Sequence, residues 1–151
     1  MKNFIVLFIL CSLLGITLYA QENQELEKEA IKKVIVDSYV DGVFNKGDVA
    51  AIKKGWYYDC DIVVFQKGAW GSILKVPAYF FVERFEKKPG APKAGTTYEF
   101  SYVHVAGYAG IAIIEIYQEG KHIYTDFLNL YKFDDGWKIV TKTYYAYPKD
   151  L

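Results

Sequence analysis

From residue 24 to residue 44 the side chains of Leu26, Ala30, Ile31, Val34, Ile35, Tyr39, Val43 and Phe44 recur every three or four positions, with Glu25, Glu27, Lys28, Glu29, Lys32 and Lys33 between them. That period predicts a helix with one buried stripe. "NKGD" at 45–48 predicts its end at Gly47 and a cap at Asp48 for a short second helix ending at Gly55. A strand, "DIVVFQ", then a Gly-bounded "KGAWGSI" come next, followed by a third helix, "PAYFFVERFEKK", with Pro77 in its first turn and the loop "PGAPKAG" after it. From Thr96 the period becomes two. "TTYEFSYVHVAG", "YAGIAIIEIYQEG", "KHIYTDFLNLYKFDD" and "GWKIVTKTYYAY" are strand-like runs rich in β-branched and aromatic residues. Glu119-Gly120 and Asp135-Gly136 are short-turn signals that make neighbouring strands antiparallel. The pattern predicts one α+β domain, with N-terminal helices packed on one face of a curved, mostly antiparallel sheet.

Residues 1–20, "MKNFIVLFILCSLLGITLYA", set a lone Lys2 before an apolar run that reaches Ala20. The run is shorter than a bilayer span and reads as a cleavable signal peptide. Cleavage after Ala20 would leave residues 21–151 as the mature domain, secreted or periplasmic and free of the membrane. Cys11 follows Leu10, a residue too large for a lipidation signal. The full chain has 18 Lys and Arg against 18 Asp and Glu, so losing Lys2 leaves the mature chain one charge negative. Without a basic surplus no nucleic-acid partner is expected. Only Cys60 survives processing, so no disulfide forms within one mature chain. Flanked by Asp59 and Asp61, with no adjacent cation to activate it, Cys60 reads as a buried thiol rather than a nucleophile.

Asp126 shares its side of a strand with Leu128 and Leu130. A carboxylate on an apolar face requires a partner or serves a site. The structural anchor is the favoured reading, and a catalytic base is the alternative. Strict alternation puts Lys142 with Val140 and Tyr144, where it reads as a snorkelling surface lysine. Aromatic residues make up 18% of the chain, and Tyr39, Trp56, Tyr57, Phe80, Tyr98, Tyr102 and Trp137 are assigned to the interior between helices and sheet. With Asp126 they form the candidate ligand-binding set, a lining suited to a flat, partly polar small molecule. His104 and His122 lack a third ligand at metal spacing, and the glycines occur singly at turns, so neither a metal nor a cofactor is expected.

Three stretches carry a family resemblance: "YVDGVFNKGDVAAIKKGWYYDCDI" at 39–62, "VAGYAGIAII" at 105–114 and "YTDFLNLYKFDDGWKIVTKTYY" at 124–145. The chain resembles the nuclear-transport-factor-two-like superfamily, the cone-shaped fold shared with SnoaL-like cyclases and ketosteroid isomerase. Within it, the chain looks most like the group called putative lumazine-binding proteins. The resemblance implies a small-molecule pocket inside the cone. It also implies a homodimer through the convex sheet face, where Ile113, Tyr117 and Tyr144 are the expected patch. Alignment with ketosteroid isomerase puts that enzyme's base at about Val64, a side chain that moves no proton, while Tyr39 lies near its tyrosine. Tyr57 stands where many relatives have a His. A binding domain is therefore the first reading. An isomerase, cyclase or dehydratase with Asp126 as base is the second, and a ligand-free dimeric module the third.

Overall fold

The apolar stripe at the start of the mature chain forms helix α1, followed here from residue 21 to residue 46. The computed structural model describes residues 21–67, 71–89 and 95–148; the expected signal peptide at 1–20 and parts of two loops fall outside them. α1 is α-helical over 21–35 and widens to π-helical over Val36–Lys46. Ile31, Ile35, Tyr39, Val40 and Val43 are buried, whereas Leu26 near the helix start is exposed. The helix stops as predicted, with Gly47 in the left-handed region at φ 65°. Asp48 then caps α2 (Val49–Gly55), its carboxylate accepting from the Ala50 and Ala51 amides.

Strand β1 (Trp56–Gln66) begins five residues before the predicted "DIVVFQ". It pairs antiparallel with β2 (Ser72–Pro77), a strand that the Gly-bounded stretch did not disclose. Pro77 therefore ends a strand instead of opening a helix. The third helix, α3, runs over Tyr79–Lys87. The meander follows as β3 (Thr96–Ala106), β4 (Ala109–Gln118), β5 (Lys121–Phe133) and β6 (Gly136–Ala146). One six-stranded sheet results, in the order β2-β1-β6-β5-β4-β3. Every pairing is antiparallel except β1 with β6, which is parallel and joins the β1–β2 hairpin to the meander.

The three helices cover one face of the curved sheet. Ala112, Ile114 and Ile116 on β4, Leu128 and Leu130 on β5, and Trp137 and Ile139 on β6 form the inner layer against α1. The two helical layers meet at Gly55, where an added Cβ would lie 2.3 Å from Cβ of Ser38. No side-chain rotation relieves that overlap. Asn45 ties the end of α1 to the start of β3, accepting from the Thr96 amide at 2.9 Å and donating to the Thr96 carbonyl at 3.2 Å. On the outer face Phe65, Ile73, Tyr102, Phe127 and Tyr145 are exposed. Ile113 lies there opposite Phe127, as the resemblance implied, but Tyr144 does not: it pairs with Asp126 on the inner face.

Gly55→Ala should force α1 and α2 apart and lower stability by about 1–3 kcal/mol. Urea denaturation should show a lower midpoint at an unchanged slope; an unaltered midpoint would mean that the helices are not locked at this contact.

Candidate functional site

Asp126 and Lys142 are the two charged side chains buried among the described residues, at 0% and 5% exposure. Lys142 reaches the interior through a bulge. Asn129 pairs with Thr141 but Leu130 pairs with Ile139, so Val140 is the extra residue and the alternation resets. Trp137, Ile139 and Lys142 thus share the inner face, and the surface-lysine reading is overturned. The ammonium lies 2.9 Å from Oδ1 of Asp126, an ion-pair contact in place of an aligned hydrogen bond. Tyr39 on α1 donates its hydroxyl proton to Oδ2 at 2.6 Å, and Lys142 donates to the same tyrosine oxygen. Three rings surround the cation, with centroids 4.3 Å (Tyr39), 4.9 Å (Tyr144) and 5.7 Å (Tyr124) from Nζ. Each adds cation–π attraction in a site without competing solvent.

Burial is the main influence on the proton equilibria here. It holds the Lys142 pKa below the ordinary lysine value against the opposing pull of Asp126. Burial, and then the Asp126 charge, raises the Tyr39 hydroxyl well above its usual range. The Cys60 thiol is pushed up to about 12 by burial and the Asp61 charge, which leaves it inert as a nucleophile. Tyr39 is therefore a neutral donor and Asp126 its acceptor.

Beside this cluster a cleft of about 480 Å³ opens between α2, the start of β1 and α3, lined by Ile52, Lys53, Trp56, Tyr57, Tyr58, Ala78, Tyr79, Val82 and Lys138. Its size and apolar aromatic walls match small-molecule sites. Trp56 packs between the cleft and the ion pair, edge to face with Tyr39 at 5.4 Å and with Phe81 at 5.9 Å. Tyr57 stacks on Phe133 at 5.3 Å, and Tyr58 meets Tyr79 at 5.7 Å. The two lysines are already paired, Lys53 with Glu86 and Lys138 with Asp135, each at 2.8 Å. A second cleft, about 690 Å³, lies between α1, α2 and the β5–β6 turn. There Glu27 accepts from Lys132 at 2.5 Å and from Trp137 Nε1 at 2.7 Å, and these bonds hold its carboxyl below the usual range. Lys33 and Lys46 in the same lining are paired as well, with Asp37 and Asp41.

The structure brings Tyr39, Trp56 and Asp126 together and sets Tyr57 next to Trp56 in the first cleft. The other assigned residues lie elsewhere. Trp137 is buried in the second cleft, held by Glu27. Tyr98 is on the inner face but half exposed on the edge strand. Tyr102 is on the outer face opposite Ile113, because the register shift at Ser101 flips the alternation after Phe100. Phe80 is exposed, and its neighbour Phe81 takes the Trp56 contact, since the buried stripe of α3 is Phe81, Val82 and Phe85. Lys142 and Tyr144 were expected at the surface and on the convex face, and Tyr124, Tyr58 and Tyr79 went unassigned. A lone lysine inside an aromatic strand was a usable signal for the first, but the bulge hid its direction.

Residues 26–145 match the family model described as "Putative lumazine-binding". The chain belongs to that family. Its cone is also the NTF2-like fold. Solved structures similar to it include an NTF2-like protein of unknown function from Shewanella baltica, at 20% identity and TM-score 0.64, covering 87% of this chain and 98% of that one. Another, from Silicibacter pomeroyi and likewise of unknown function, has 22% identity and TM-score 0.64 and covers 82% and 98%. No curated protein matches the chain. At these identities the neighbours establish the fold of this lumazine-binding family member and nothing about its ligand.

Lys142→Met should cost about 3–5 kcal/mol, because it leaves the Asp126 carboxylate buried without its counter-charge. Asp126→Asn should cost less, since the remaining lysine can shed its proton. In that variant the unfolded chain holds a proton that the folded chain has released, so stability should rise with pH from about 6 to about 9. Urea denaturation across that range measures both effects; a pH-independent Asp126→Asn variant would contradict the assigned coupling.

Proposed function

We propose that this lumazine-binding family member is an exported small-molecule-binding domain that holds a flat aromatic or heterocyclic ligand in the cleft beside Trp56. The observation that carries this reading is the cleft itself, an apolar recess walled by Trp56, Tyr57, Tyr58 and Tyr79 with no carboxylate or histidine in its lining among the described residues. The family description points to the same ligand class. Asp126, the candidate base of an isomerase, cyclase or dehydratase, is held by Tyr39 and Lys142 behind the Trp56 wall, which favours binding over proton transfer. The apolar run at 1–20 supports the export part of this reading. The exposed Phe65, Ile73, Phe127 and Tyr102 on the outer sheet face favour pairing with a second copy.

Native mass spectrometry of the protein purified from its source tests all three parts at once. The expected species is a dimer of chains beginning at Gln21 that carries a small-molecule adduct lost on denaturation. Chains beginning at Met1 would overturn export, and a monomer at micromolar concentration would overturn the pairing. A Tyr58→Ala/Tyr79→Ala variant, altered only in exposed or half-exposed wall residues, should lose the adduct while keeping its melting temperature. Retention of the adduct by that variant would place the ligand outside this cleft.

A further inference from the structure

The indole Nε1–H of Trp56 is buried and has no acceptor among the described residues. Trp137, by contrast, gives the same group to Glu27 at 2.7 Å. A buried donor without a partner is rare in folded proteins and calls for a cause. Trp56 is also the residue that lines the cleft on one side and packs on Tyr39 on the other. The backbone that follows it is loosely paired. β1 meets β6 at Trp56 with Ile139 and again at Asp61 with Thr141, so an advance of five residues on one strand faces two on the other. Tyr57, Tyr58 and Asp59 in that slack segment are exposed. No β1–β6 rung is registered between Trp56 and Asp61.

We propose that the cleft selects flat aromatic ligands bearing an uncharged hydrogen-bond acceptor, a ring carbonyl or ring nitrogen, and that this acceptor takes the Trp56 Nε1–H. The proposal rests on the reading that the cleft binds a small molecule. A hydrocarbon of the same shape would fill the aromatic walls but leave the donor unpaired, whereas an acceptor pairs it inside an apolar site where the bond is strong. An anionic group is not required, because Lys53 and Lys138 already face Glu86 and Asp135. Trp56 is thus the specificity-determining residue, and the tyrosines supply stacking area.

The test uses two bicyclic probes on the mature chain, quinazoline-2,4-dione with two ring carbonyls and naphthalene with none. Binding is read by calorimetry and by the indole N–H resonances in ¹⁵N-labelled protein; the Trp56 signal is the one absent from Trp56→Phe. The dione should bind the wild type about tenfold to a hundredfold tighter than it binds Trp56→Phe. It should also move the Trp56 indole proton downfield, while naphthalene binds both proteins alike. If the dione binds wild type and variant equally, or leaves the Trp56 resonance in place while naphthalene binds, the acceptor rule is overturned and the cleft reading stands. If neither probe binds saturably, both fall. Should Trp56→Phe fail to fold, the Trp56 resonance of the wild type, assigned by connectivity, decides the question alone.

Discussion

The interior of this cone is organised around one buried charge pair, Lys142 with Asp126, closed by the hydroxyl of Tyr39. Two ions removed from water lose several kcal/mol of hydration each, and their attraction offsets this only in good geometry. The geometry comes from three elements: β5 brings the carboxylate, β6 the ammonium and α1 the phenol. Any slip of α1 along the sheet would strand the carboxylate's second oxygen. The pair therefore acts as a register pin for the helix on the sheet, a role that apolar packing alone performs poorly because leucines and isoleucines tolerate shifts.

That pin also shapes the space beside it. Tyr39 presents its ring edge to Trp56, and Trp56 forms the wall of the aromatic cleft. The charges of the interior are consequently turned inward and paired, while the cleft presents ring faces, with one unpaired indole N–H buried in its wall. Asp126 is engaged by Tyr39 and Lys142 on the far side of Trp56 from the cleft, and Val64 lies on β1. A thiol pushed up to about 12 in Cys60 adds no nucleophile.

Much of the fold could be read from the chain because it depends on local rules. The helical period at 24–44, Gly47 in a left-handed turn, the Asp48 cap and the two Gly-containing turns each follow from the conformational limits of a few consecutive residues. So does the presence of Asp126 on an apolar face, since β5 keeps its alternation from Tyr124 through Leu130. β2 escaped notice because it is a short, exposed edge strand whose burial gives no period.

The sequence by itself determined the helical stripe, the capping, the meander and the need of Asp126 for a partner. Only the tertiary structure decided which partner that is. Val140 and Ser101 are two of the points where a strand carries one residue more than its neighbour, and a bulge reverses inside and outside for everything beyond it. Lys142 consequently turned inward and Tyr102 outward, against the alternation that each local run displays. A bulge is set by what the neighbouring strand and the helix above it can accept, and those contacts join residues as far apart as Tyr39 and Lys142.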